Sequence, residues 1–350
     1  MVMPPAPARP RRRGDGRRAH PARRGLGVVL VLALTSLLVA VPGLLAGLAS
    51  ASTRLAAAQP PGVGTVVLAP GESKAAQAAA AAAAGSAARA AAEHLAAQPS
   101  AYWLTPERDP ASRVEARVRG LIAQAREHEA ALALVVYGLP QRDCGQYSAG
   151  GLDESEYDEW TALIGSTLAA AGDVQKIVVL EPDSLALAPE CASIPARAAQ
   201  LRRAVERLEG RNTWIYLDGG HSNWLPVERM ASLIDRVGVR ERVRGFATNV
   251  SNYQTTYDEF AYAHALAAEL GWGHAIVDTS RNGAGATDEW CNPRGRVVGD
   301  APGTYGDEVV DTNLWIKPPG ESDGECNGGP PAGDWWDAAA IELTRDARSR

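Results

Sequence analysis

Short apolar runs that stop at a carboxylate recur along this chain. Val135-Val136-Tyr137 leads to Asp143, and Val178-Val179-Leu180 leads to Glu181 and Asp183. Ile215-Tyr216-Leu217 ends at Asp218, and Leu314-Trp315-Ile316-Lys317 leads to Asp323. Between these runs, apolar residues fall three and four apart, the spacing of one helix face. The pattern predicts helices over 113–129, 157–171, 194–208, 227–237, 258–270 and 335–345. It predicts strands over 132–137, 176–180, 213–217, 243–248, 274–278 and 313–316. Strand–helix alternation at this spacing indicates a parallel α/β fold. The strands are apolar throughout rather than at every second position, so both of their faces are expected to be buried. No G-x-G-x-x-G turn follows the first of them, which weakens a dinucleotide-binding fold. The expected class is α/β, a parallel (β/α) barrel. Catalytic side chains collect at the C-terminal strand ends of such barrels. The long segment 282–311 is expected to help form the site.

The first hundred residues follow another pattern. Eight arginines precede Leu26, and the stretch 26–48 is apolar apart from Thr35 and Ser36, with Pro42 inside it. Ala49-Ser50-Ala51 supplies small residues of the cleavage type, so residues 1–51 read as an export signal. At about 20 residues the apolar stretch is also long enough to stay as a membrane anchor. Residues 52–99 are rich in Ala, Pro and Gly and read as a linker, with a helix over its Ala-rich part as the alternative to a low-complexity spacer, because alanine is the best helix former. The catalytic barrel is expected over 100–350.

Charge narrows the partners. The net charge of the 350 residues is −6. Without residues 1–51 the chain holds 27 basic and 40 acidic side chains, a balance of −13. An acidic body repels phosphate, which excludes nucleic acid as a partner. A membrane enters only if the N-terminal segment is retained, and nothing points to an oligomer, so a monomer is expected. Lysine is rare, present only as Lys74, Lys176 and Lys317. Four cysteines, Cys144, Cys191, Cys291 and Cys326, all follow the export signal, so disulfides are expected. Three connectivities exist, of which the sequential one, Cys144–Cys191 and Cys291–Cys326, is the expectation. No C-x-x-C pair calls for zinc.

Several carboxylates converging on one rim point to acid/base hydrolysis, glycoside hydrolysis above all. That chemistry needs one acid that keeps its proton near neutral pH, and burial or a neighbouring carboxylate supplies this. Asp183, at the end of a buried strand, meets the need, with Asp143 or Asp218 as the negative neighbour. Asp323 lies in a loop whose prolines and glycines hold it in place. Aspartates after strands also cap helices, but four of them beside Tyr, Trp or Lys favour a site. Clustered carboxylates can bind Mg²⁺ or Ca²⁺, yet the spacing fits no EF-hand, and no cofactor is expected. Trp103, Trp224, Trp272, Trp290 and Trp315 are candidate platforms for the apolar faces of sugars, whereas Trp335 and Trp336 read as core. No H-E-x-x-H, G-x-S-x-G or P-loop is present, which removes metalloprotease, esterase and NTPase readings.

The chain resembles the glycoside hydrolase family 6 cellulases, which cleave β-1,4-glucan with inversion. The likeness runs from about Ser100 to the C-terminus. It rests on Val136-Tyr137-Gly138-Leu139-Pro140-Gln141-Arg142-Asp143-Cys144, Leu180-Glu181-Pro182-Asp183, and Tyr216-Leu217-Asp218-Gly219-Gly220-His221. It continues through Ala247-Thr248-Asn249-Val250-Ser251-Asn252-Tyr253, Asp278-Thr279-Ser280-Arg281-Asn282-Gly283, Glu289-Trp290-Cys291-Asn292 and 315–324. The resemblance implies a distorted seven-stranded variant of the (β/α)₈ barrel and places the cysteines where the family has two disulfides. It implies Asp183 as proton donor, Asp143 as the aspartate that supports the donor and organises water, Asp323 as base and Asp218 as an auxiliary carboxylate. Tyr137 would press on the sugar at the cleavage point, and Ser148 would lie on the loop that holds the water. Lys317 and Glu321 would bind sugar hydroxyls, while Trp103, His221, Trp224, Asn249 and Trp290 would contact substrate. Gly138 departs from the Asn common in the first motif. The stretches 144–191 and 291–326 are short, which resembles the open-cleft endoglucanases rather than the cellobiohydrolases. The expected activity is a secreted endo-β-1,4-glucanase acting on cellulose or related β-glucans. The alternatives are a cellobiohydrolase or a non-catalytic glucan-binding protein. No cellulose-binding module is recognisable.

Overall fold

The computed structural model describes residues 58–145, 150–191 and 193–347, the side chain of Cys191 excepted. The export signal or anchor, with its apolar stretch 26–48, and Ser148 lie outside the described residues. Among the described residues no helix is long and apolar enough to cross a membrane.

Seven parallel strands run in chain order, β1 Tyr102–Leu104, β2 Leu132–Val136, β3 Lys176–Leu180, β4 Thr213–Asp218, β5 Gly245–Thr248, β6 His274–Asp278 and β7 Val310–Leu314. Each pairs with the next. The sheet curls into an unclosed barrel. Its first and last strands meet through single bonds: the Ala101 N–H donates to the Trp315 carbonyl at 2.9 Å, and Trp103 Nε1 donates to the Ile316 carbonyl at 2.7 Å.

Alternate strand residues point to opposite faces, and here both faces are apolar. Leu132, Leu134, Val136, Val178, Leu180, Ile215, Leu217 and Phe246 pack outward against helices. Ala133, Val135, Ile177, Val179, Tyr216, Ala247 and Ile276 fill the barrel interior. That double burial is why the strands read as unbroken apolar runs. The barrel expected from the pattern, and the seven strands implied by the resemblance, are both present.

The covering helices are α1 Lys74–Ala81, α2 Ala87–Ala96, α3 Ala111–Glu127, α4 Glu154–Ala169, the one-turn α5 Ala188–Cys191, α6 Ile194–Leu208, α7 Val227–Val237, α8 Thr256–Leu270 and α9 Asp337–Leu343. Polar side chains cap α1, α2, α4, α6 and α8. Asp153 and Glu156 form a capping box on α4, and Ser193 and Thr255 accept the N3 amides of α6 and α8. Gly165 lets α4 and α6 touch, because a Cβ there would lie 1.8 Å from the Arg207 carbonyl oxygen.

Two expectations need correction. β1 carries no pattern in the sequence because three residues are too few to show a period. The stretch 58–99 is not a linker as far as it is described. Val67 bridges to Ala131 as a parallel strand residue would, and α1 and α2 are capped by Ser73 and Ser86. Ala75, Ala91 and Leu95 are buried with Trp315 and Ala340, so the domain begins well before Ser100.

Candidate active site

The C-terminal ends of the strands form one rim, and each strand delivers polar groups to it. Beyond β2, Tyr137 donates its hydroxyl to Asp143 Oδ2 at 2.5 Å. Trp103 of β1 meets the Tyr137 ring edge-on, with centroids 5.1 Å apart, so an aromatic pair floors this part of the mouth. Asp143 and Cys144 both take left-handed backbone, with φ of 51° and 57°. Beyond β3, Glu181 and Asp183 do the same, with φ of 51° and 67°. Such conformations cost non-glycine residues about 1–3 kcal/mol each and cluster at functional sites. Here they turn the chain sharply enough to aim Asp183 inward within three residues of the strand.

Asp218, at the end of β4, is 2% exposed. Its Oδ2 accepts from the Asp183 N–H at 3.0 Å and the Gly220 N–H at 3.2 Å. Burial pushes its carboxyl up to about 7 against the pull of those two N–H groups. Asp183 is half-buried and stands among three acids. Burial first, then the charges of Asp218, Asp143 and Asp323, hold its carboxyl well above the usual carboxylate range, with Lys317 opposing.

Asp323 has the reverse setting. Burial pushes it up, but Arg281, Lys317, the Asn292 N–H and the Tyr253 hydroxyl outweigh that and hold it below the usual range. Arg281 Nη1 lies 2.9 Å from both Asp323 oxygens. Tyr253 donates at 2.9 Å and the Asn292 N–H at 3.1 Å, and Lys317 Nζ is 3.6 Å away. Lys317 also stands 5.7 Å over the Trp103 ring. Burial lowers the Lys317 ammonium and raises the Glu321 carboxyl. The rim therefore carries carboxyls shifted toward holding a proton, Asp183 among them, and one, Asp323, built to stay charged.

His221 and Trp224 lie on the loop after β4, with ring centroids 5.5 Å apart. Burial lowers the imidazole to about 4, so it is neutral at ordinary pH. Trp290 is 51% exposed and sits two residues from Asn292. Cys291 and Cys326 form a disulfide that ties this loop to the one carrying Asp323. Cys144 is disulfide-bonded as well, in a bond whose expected partner, Cys191, has a side chain outside the described residues.

Three expected sugar contacts are corrected. Asn249 is fully buried. Its amide donates to the Gln254 and Asp278 carbonyls and accepts from the Gln254 N–H, so it braces the loop rather than meeting substrate. Trp272 precedes β6 and lies at the opposite end of the barrel, where its Nε1 reaches Asp235. Trp315 is 3% exposed and packs with α1 and α2.

Other groups at the rim carried no separate prediction. Arg281 is 3% exposed and holds Asp323. Glu181 is fully buried and accepts from the Gly138 and Leu139 N–H groups and the Tyr157 hydroxyl. It thereby stitches the loop after β2 to the one bearing Asp183. Asp278 accepts from the N–H groups of Ser251, Ser280, Ile316 and Lys317. A charged residue just past an apolar strand was the available signal for all three.

This arrangement can be set beside known proteins. Endoglucanase A of Cellulomonas fimi is 43% identical over 257 residues, which is 73% of this chain and 56% of that protein. The chain thus spans little more than half of that relative's length. The endoglucanase Cel6 from Mycobacterium tuberculosis, solved in complex with a thio-linked cellobioside, superposes with a TM-score of 0.74 at 37% identity, covering 81% of this chain and 98% of that one. The catalytic core of the cellobiohydrolase Cel6A from Chaetomium thermophilum superposes with a TM-score of 0.70 at 27% identity, covering 80% and 96%. The family model for glycosyl hydrolases family 6 matches residues 63–347. With seven parallel strands, a carboxylate rim and a family match over nearly all the described residues, this chain belongs to glycosyl hydrolases family 6.

Proposed function

We propose that this chain is a secreted β-1,4-glucanase that cuts internal bonds of cellulose or related β-glucans with inversion, as a monomer. The observation that carries the reading is the opposed setting of two acids, Asp183 held toward its protonated form by burial and by its acidic neighbours, and Asp323 held ionised by Arg281 and Lys317. Inverting hydrolysis needs a proton for the leaving oxygen and a water on the other face of the sugar. In this reading Asp183 gives its proton to the bridging oxygen as the C–O bond breaks. Water forms the new bond at the anomeric carbon, near Asp143, and its proton passes through a second water to Asp323. Tyr137, Trp103, Lys317 and Glu321 hold the sugars beside the bond, with Trp290, Trp224 and His221 along the rim.

Export is supported by the Arg-flanked apolar stretch 26–48 and by a disulfide, Cys291–Cys326, of the kind that persists outside the cytosol. Retention of that stretch as an anchor would leave the domain outside the cell all the same. Endo-action is supported by the short cysteine-bounded stretches, which leave little chain to roof the mouth.

Asp183→Asn keeps the shape and removes the proton. It is expected to lower turnover of soluble β-glucan by about 10²–10⁴-fold, the usual worth of a general acid, while oligosaccharide binding persists. Normal turnover would remove Asp183 from this role. Loss of viscosity ahead of the rise in reducing ends is the expected course for endo-cleavage; the reverse order would identify a cellobiohydrolase.

A further inference from the structure

Beside the Arg281–Asp323 pair lies a small cavity bordered by Tyr253, Arg281, Arg294, Arg296, Glu321 and Glu342, among others. Its volume of about 20 Å³ admits one small occupant. Among the described residues, the buried Nε–H groups of two of its arginines, Arg281 and Arg296, have no acceptor. Unmet buried donors are uncommon, and charged ones are the most costly. The remaining contacts of these guanidinium groups are accounted for. Arg281 donates to Asp323 and to the Ser251 carbonyl and lies over the Tyr253 ring at 4.4 Å, and Arg296 donates to the Gly285 carbonyl at 2.7 Å.

Charge is unbalanced at the same place. Arg281 has Asp323 as its counter-ion. Arg294 is exposed to solvent and lies over the Trp336 ring, whereas the partly buried Arg296 forms no ion pair among the described residues. Glu342 is turned to the Gly295 N–H at 2.8 Å and to Arg345. Burial shifts Glu321 toward its neutral form, against Lys317. A water in the cavity would satisfy the two donors and leave the charge as it is; an anion answers both.

We propose that this cavity is a binding site for one small monovalent anion, chloride in ordinary solution, held by the Nε–H groups of Arg281 and Arg296. The site stands apart from the reaction proposed above and makes no use of it. It does adjoin the cation that keeps Asp323 ionised, which would couple chloride to the charge at the rim.

Crystals of the full chain soaked in sodium bromide and measured at the bromine edge should show an anomalous peak in contact with Arg281 and Arg296. In solution, Tm in sodium chloride should exceed Tm in sodium methanesulfonate at equal ionic strength, since a ligand bound only by the native chain raises apparent stability. Methanesulfonate is too large for the cavity. Arg296→Gln should abolish both the peak and the Tm difference. If that variant does not fold, the wild-type pair of measurements still decides. Absence of the bromide peak, or equal Tm in the two salts, overturns the proposal, and a water refined at the cavity with no anomalous signal counts as the former.

Discussion

The backbone N–H of Asp183 donates to Oδ2 of Asp218 at 3.0 Å. The two residues end neighbouring strands, so the bond fixes the turn that aims Asp183. It also brings the Asp218 charge close to the Asp183 carboxyl, where it raises that group's affinity for a proton. One residue thus fixes the place of the other and adds to the effect of burial on its acidity.

Asp218→Asn tests the second effect. The amide oxygen can still accept from the Asp183 N–H, but the negative charge is gone. Asp183 should then lose its proton at lower pH, so the alkaline limb of kcat/KM should move toward acid. A pH–rate profile on soluble β-glucan checks it, and an unmoved alkaline limb would separate Asp218 from the acidity of Asp183.

Arg281→Met removes the main counter-ion of Asp323 and leaves a buried carboxylate beside Lys317. Breaking a buried pair from one side costs about 3–5 kcal/mol, read as a lower urea midpoint at unchanged slope. The acidic limb of the activity profile should move upward, because Asp323 would take up a proton more readily. A variant as stable as the wild type would show that Tyr253, Asn292 and Lys317 suffice.

Stability should fall as pH rises across the weakly acid range. Burial raises Asp218, Glu181 and Glu259 to about 7 each. Between the ordinary carboxylate range and about 7 the native chain therefore holds more protons than the unfolded chain. Stability then declines with pH. Asp323, whose proton affinity is lowered, acts in the opposite sense but below that window, and His221, lowered to about 4, opposes within it as one group against three. Tm measured at about pH 5 should exceed Tm at about pH 7.5, and a flat or rising trend would contradict the burial of these groups.

Gly138→Asn restores the residue usual among the resembling enzymes and should destabilise this one. A Cβ at Gly138 would lie 2.8 Å from the Trp160 ring and 3.1 Å from Pro106. Trp160 is fully buried and hydrogen-bonded to the Asp109 carbonyl, so it cannot move aside freely. The expected loss is about 1–3 kcal/mol, as for other overpacked cores, measured by urea denaturation. The departure from the family pattern is therefore matched by a tryptophan that occupies the space.

Much of this was legible beforehand because burial on two faces leaves a plain mark. β3 and β6 lie at the predicted 176–180 and 274–278, and the acids after β2, β3, β4 and β7 share one rim, as expected. The misses have physical causes. Alanine shows little hydrophobic contrast, so the packing of α1 and α2 left no amphipathic stripe to read. Asn249 and a sugar-binding Asn present the same side chain, and only burial tells a loop brace from a ligand contact. Trp272 could have been discounted, because it stands before a strand rather than after it. Arg281 sits in a quoted motif, but its partner lies 42 residues away, a distance that local pattern does not span.

The Ala-rich helices bear on more than packing. Lys74, on α1, donates to the Gly333 carbonyl, and the Gly333 N–H donates to the carbonyl of Ser322, next to Asp323. A protease that nicked the turn between α1 and α2 would free that clasp without touching any residue of the mouth. The proposed activity is then expected to fall although every rim residue is still present, so residues 58–99 belong with the support of Asp323 despite their distance from it in the chain.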